Sequence, residues 1–159
     1  MIDPNFRQTV IYVIAHSGEG AMGLIVNRKA AAIQMKRLLE EVGIKARSSR
    51  RLDVYFGGPM EIARGFVPHS PDYEGVSTML QSARISLSTG TDVLRAMATG
   101  RGPRKARFVL GYAGWGRGQL EQEIARVDWL LAPADAELIF AGDPGTVWKR
   151  ALQRAGMRI

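Results

Sequence analysis

The chain has 159 residues, 46% of them hydrophobic and 23% charged, a globular balance sized for one domain and too apolar for disorder. It contains no cysteine, which excludes a thiol nucleophile, a zinc–cysteine site and an iron–sulfur cluster. The net charge of +7 is uneven: residues 28–51 hold eight Lys and Arg against two Glu, while residues 108–148 are net acidic. Basic runs can hold anions, acidic partners or nucleic acid, but the plainer reading, a solvated surface, is preferred.

Gln8 to Ala15 is rich in β-branched and aromatic residues and reads as a strand. His16 to Gly20 is a turn and Ala21 to Asn27 a second strand, so the pair forms a hairpin. Met35, Leu38, Leu39 and Val42 repeat at helical spacing, and Gly43 stops that helix. Leu52 to Phe56 is a strand ended by Gly57-Gly58-Pro59, and Ala63 to Pro68 is another. Val76 to Leu80 and Ala83 to Leu87 read as short strands. Thr89 and Asp92 have capping-box spacing before a helix that ends at Gly100. Arg107 to Tyr112 is a strand leading into a Gly-rich segment, and Leu120, Ile124 and Val127 make a helix. Trp129 to Leu131 and Glu137 to Phe140 are strand-like, and Asp143 with Pro144 opens a last helix that ends near Gly156. Irregular alternation with tight turns predicts a mixed α+β fold with largely antiparallel strands.

Little of this carries recognisable chemistry. Gly18-Glu19-Gly20-Ala21-Met22-Gly23 matches a dinucleotide fingerprint in letters, but a strand follows where a helix must begin. A hairpin turn explains its glycines better. His16 and His69 are the only histidines, and no metal-ligand spacing surrounds them. Each stands at a predicted strand end, where hydrogen bonding to loop backbone is the common role; a general base is the alternative. Neither a serine-hydrolase elbow nor a P-loop is present, and Glu121 and Glu123 are spaced to point apart on a helix. Gly111 to Glu123 is the most unusual segment, open to two readings: a partner surface with Trp115 as its wall, or tight packing with Trp115 in the core. No helix-turn-helix, zinc finger or RNA-binding signature appears, so sequence-specific DNA reading is not expected. No apolar run reaches the ~20 residues of a membrane span, and the N-terminus lacks signal-peptide character, so a cytoplasmic, non-membrane protein is expected.

Four segments in order carry a resemblance. They are Asp3 to Tyr12; Gly20 to Arg28; Phe56-Gly57-Gly58-Pro59 with Arg64 to His69; and Gly111 to Glu121. Together they resemble the AlgH/YqgE family of bacterial proteins over essentially residues 1–159, as a single domain. The resemblance implies a compact α+β fold with a small, partly barrel-like sheet flanked by helices. It implies no known activity, only a label as transcriptional regulator without a mechanism. Relatives begin with a further apolar strand and run on at the C-terminus; here the chain lacks both, which would leave a sheet edge unpaired.

The expected function is therefore non-enzymatic binding or regulation, with an unknown protein or a small anion as partner and no cofactor or metal. The expected site is a groove lined by Asn27, Gly57, Gly58, Pro59, Arg64, His69, Tyr112, Gly114, Trp115, Gln119 and Glu121. Arg64 would hold a carboxylate or phosphate, Gly58 and Gly114 would admit backbone, and Tyr112 or Trp115 would stack. The alternatives are an enzyme on a small anionic substrate with a His base, and non-specific nucleic-acid binding through the basic segments.

Overall fold

A computed structural model describes residues 3–41, 43–44, 51–81, 84–140 and 143–156. In chain order these form β1 (Ile11–Ser17), β2 (Gly20–Ile25), β3 (Lys29–Gln34), α1 (Met35–Glu41), β4 (Arg51–Phe56), β5 (Met60–His69), β6 (Thr78–Gln81) and β7 (Ser86–Ser88). They continue through α2 (Thr91–Ala98), β8 (Phe108–Trp115), α3 (Gln119–Ala125), α4 (Ala136–Ile139) and α5 (Val147–Arg154). The strand pairings are antiparallel, as the turns predict. The α+β class is thus the observed one. Among the described residues, no helix is long and apolar enough to cross a membrane.

The chain divides into two compact units. The first holds Met1–Arg28, Phe56–Arg64 and Leu110–Ile159; the second holds Lys29–Tyr55 and Gly65–Val109. In the first unit β1 and β2 form the expected hairpin, running from Ile11 opposite Ile25 to Ser17 opposite Gly20. β2 then pairs with β8, Gly23 opposite Ala113. Gly20 has φ 146°, and a Cβ there would stand 2.4 Å from the Trp115 carbonyl oxygen. The glycines of the false dinucleotide motif therefore serve a turn and a close strand contact. Ala113, Trp115 and Leu120 form a core, with Phe6, Ile11, Ile124 and Trp129 against it.

In the second unit β3 pairs with β4, and β7 lies between β5 and β6. Leu87 of β7 is buried, as are Val93, Leu94 and Met97 on one stripe of α2. β3 was not legible beforehand: Ala30, Ala31 and Ala32 have little intrinsic strand preference, and pairing with β4 decides the matter.

Several boundaries differ from expectation for local reasons. Residues 136–139 are helix, not strand, because Asp135 caps them by accepting from the Glu137 N–H at 2.8 Å. Trp129 to Leu131 is irregular. Gly90, not Thr89, is the residue before α2, and the Thr89 hydroxyl turns to Met79 Sδ. Val42 and Ala83, which the sequence reading placed in a helix and a strand, lie outside the described residues. The stops at Gly43, Gly100 and Gly156 hold, each glycine having positive φ.

Asp92 instead accepts from the hydroxyls of Tyr73, at 3.0 Å, and Ser77. Burial pushes its pKa up, but the hydrogen bonds from Ser77 and Tyr73 outweigh that and hold the carboxyl below its ordinary value. A carboxyl lowered by folding stabilises the native state fully above its unfolded value, about pH 4, and that contribution fades as pH falls through the folded value. Urea midpoints should therefore drop on acidification below about pH 4, and Asp92→Asn should remove that part of the drop.

Gly58 supplies a second test. It has φ 153°, and a Cβ would stand 2.1 to 2.4 Å from Tyr112 and Ala113 backbone atoms. Gly58→Ala should cost about 3 kcal/mol in urea denaturation. Gly43→Ala, at φ 78° in open space, should cost only about 1 kcal/mol.

Candidate functional site

The motif residues of the first unit are engaged with one another. Gly57 donates its N–H to the Leu110 carbonyl and accepts from the Ile25 N–H, both at 2.8 Å. Gly58 lies against the Tyr112 backbone, and Gly111, at φ 78°, faces the Gly58 carbonyl so closely that a Cβ would stand 2.4 Å from it. Asn27 accepts from the Val10 N–H and donates to the Gln8 carbonyl, each at 2.9 Å, which pins the chain entering β1. Pro59 and Gly114 are exposed.

Arg64 and Tyr112 do come together. The guanidinium stands 5.8 Å from the ring centroid, and Nη1 is 3.4 Å from Glu61 Oε2. Glu61 also raises the Tyr112 phenol, by hydrogen bonding, above its usual range. Arg64 therefore has an internal carboxylate and an aromatic face at hand.

Trp115 is buried rather than presented for stacking, with 8% of its surface exposed. Its indole N–H donates to Glu123 Oε2 at 2.8 Å, and the Trp129 indole donates to the same oxygen at 2.8 Å. Gln119 donates to the other oxygen at 3.1 Å and accepts from the Gly116 N–H at 2.9 Å. The two indoles meet edge to face at 5.9 Å. Of the two readings of this segment, core packing describes Trp115. Sequence reasoning passed over Glu123, because a helical carboxylate gives no sign of which ring nitrogens will reach it.

The two histidines take different places. His16 Nε2 pairs with Glu121 Oε1, and both side chains are about half exposed. That pair holds the Glu121 carboxyl below its ordinary range. It is a histidine–carboxylate dyad with both partners open to solvent. His69, in the second unit, is fully buried; one ring nitrogen meets the Ser70 carbonyl at 2.7 Å and the other the Ser88 hydroxyl at 2.8 Å. With both nitrogens occupied inside the fold, His69 has no reach to a substrate. Among the described residues no group of three or more His, Asp or Glu side chains is placed to hold a metal ion.

Room for a ligand is found elsewhere in the first unit. A cavity of about 570 Å³ is bounded by residues 6–13, Trp115, Leu120, residues 127–135 and one stripe of α5. That stripe is Trp148, Ala151 and Leu152, continued by Ala155 just past the helix end. The walls are mainly apolar, and Val13, Leu130 and Leu131 beside it are large hydrophobics left exposed. Volume and lining match those of small-molecule or peptide sites. No motif announces it, since its walls come from four separated segments. From sequence, Leu130 and Leu131 on its wall read only as part of a strand.

The AlgH-like family model matches residues 1–159. A UPF0301 protein of Methylococcus capsulatus is 55% identical over 152 residues, spanning 96% of this chain and 84% of that protein. A UPF0301 protein of Cereibacter sphaeroides is 45% identical over 159 residues, spanning 99% of this chain and 86% of its own. The solution structure of the AlgH protein from Pseudomonas aeruginosa superposes with TM-score 0.83 at 40% identity, covering 99% of this chain and 84% of that one.

The indole–carboxylate clamp is directly testable. Glu123→Ala would leave two indole N–H groups without their acceptor and should cost about 2–3 kcal/mol in urea denaturation followed by tryptophan fluorescence. Glu123→Gln, which keeps an acceptor oxygen, should cost markedly less.

Proposed function

This chain belongs to the AlgH-like family, and from that premise we propose that it is a non-enzymatic binding protein whose ligand seat is the apolar cavity of the first unit. The observation that carries the reading is the cavity itself: about 570 Å³ of mainly apolar space flanked by exposed leucines. Apolar surface of this kind, rimmed by polar residues, is what binding sites expose. The residues first expected to form a groove are largely occupied in holding the fold, and Arg64 already has Glu61 and Tyr112. The enzyme reading loses support with His69 buried and the His16–Glu121 pair on open surface. In the proposed reading the protein works in the cytoplasm, and any regulatory effect runs through what the cavity holds rather than through DNA.

Nile red, a neutral apolar dye, should brighten on the native protein and quench tryptophan emission. Ala151→Phe, which projects a ring into the cavity, should weaken dye binding by at least about tenfold while far-UV circular dichroism stays unchanged. Native protein that leaves the dye dark would overturn the proposal.

A further inference from the structure

We infer that the second unit carries a separate site, a cleft against α2 that holds the phosphate group of a small molecule between Arg95 and Arg101. The cleft has a volume of about 540 Å³, within the range of small-molecule sites. Its described walls all lie between Tyr73 and Arg101, inside the second unit. Thr91 and Arg95 stand one turn apart on α2 and so share a face. Arg101 reaches the cleft by a defined turn. Its N–H bonds to the Ala96 carbonyl at 2.9 Å, and the Gly100 N–H bonds to the Met97 carbonyl at 3.4 Å, a reversal that Gly100 permits at φ 75°. Gly102 then lies on Met97, where a Cβ would stand 2.7 Å from Met97 Cγ. Arg101 is thus fixed between two glycines, with its backbone folded back along α2.

Positive charge is left over in this cleft. All 15 Asp and Glu of the chain are among the described residues, and of these Asp92 alone lines it. Asp92 is already engaged: the Tyr73 and Ser77 hydroxyls donate to it, and so does the Ser77 N–H at 3.5 Å. Arg95 and Arg101 are exposed, and neither enters an ion pair among the described residues. Residues 101–107 add three further Lys and Arg and no acid, so the surrounding field attracts anions. The last-turn carbonyls of a helix would oppose that. Here those of Arg95 and Ala96 are covered by the Thr99 N–H and hydroxyl, all at 3.2 Å.

Two guanidiniums suit a phosphate better than a carboxylate. One planar fork satisfies both oxygens of a carboxylate, whereas a phosphate dianion has a third oxygen and a second charge to place. The Thr91 hydroxyl, on the face of Arg95, adds a donor. The body of the ligand meets the Tyr73 ring, which is held in place by its bond to Asp92 at 3.0 Å and by edge-to-face contact with His69 at 5.7 Å. A polyanion such as DNA needs a row of cations, and here a fixed carboxylate stands beside the pair.

The test uses the full chain, nitrogen-15 labelled and at constant ionic strength, with phenyl phosphate, inorganic phosphate and benzoate as probes. Binding is read from the amide shifts of residues 91–101. Phenyl phosphate should give saturable shifts there with Kd below about 1 mM, and benzoate should bind at least about tenfold more weakly. Arg95→Ala and Arg101→Ala should each weaken phenyl phosphate at least about tenfold while far-UV circular dichroism stays unchanged. Arg101→Lys, which keeps the charge without the fork, should recover only part of that loss. Arg104→Ala should leave Kd within about twofold, since exposed charges beside the site are screened. Inorganic phosphate binding as tightly as phenyl phosphate would support free phosphate as the occupant, and weaker binding would support an ester. Shifts that never saturate, benzoate binding as well as phenyl phosphate, or either alanine variant of Arg95 and Arg101 binding like the parent would overturn the proposal. So would saturable binding of a short DNA duplex at these residues that is lost in Arg104→Ala, which would assign the basic segment to nucleic acid.

Discussion

The first unit depends on a place where three stretches of backbone meet with no room for side chains. Gly57 bonds at once to Ile25 and Leu110, Gly58 lies on the Tyr112 peptide, and Gly111 faces the Gly58 carbonyl. Main-chain groups so closely packed satisfy one another, which a buried backbone requires. The positive φ at Gly58 and Gly111 is the geometric condition for it, and any Cβ would push the segments apart. The β2–β8 pairing adjoins this contact, with Gly23 two residues before Ile25 and Ala113 one after Tyr112, and Ala113, Trp115 and Leu120 of the core follow it in the chain.

That crossing explains what the glycine motifs do for the fold. Gly57-Gly58-Pro59 and Gly111-Tyr112 look like a surface prepared for a ligand, because glycine lets something approach closely. Here the approaching group is the chain's own backbone. Asn27 and Gln119 likewise spend their amides on neighbouring main chain and on Glu123. The family resemblance and the antiparallel α+β class were legible because they rest on local signals: alternation in β1, the turn before Gly20, the Gly stops after α1 and α2. β3 and α4 were not, since pairing with β4 in one case and a single Asp cap in the other overrode weak propensities.

The candidate site was hidden for a different reason. Its walls are assembled from residues far apart in the chain, and each piece has an ordinary explanation by itself: a strand, a helix stripe, an apolar loop. Only placement turns Trp148, Leu152 and Ile11 into one surface. The clamp that seats Trp115 and Trp129 on one carboxylate oxygen adds polar definition beneath that surface.

The make-up of the first unit also sets the order in which the protein can be completed during synthesis. Its three stretches lie at the start, middle and end of the chain, so β2 leaves the ribosome long before β8, its partner across Gly23 and Ala113, exists. Until then the β1–β2 hairpin has only itself, and an isolated hairpin is marginal in water. The second unit, by contrast, is all translated once Val109 has been added. The apolar face of β1 and β2 is thus exposed through most of translation, the interval in which a nascent chain most needs a holding chaperone.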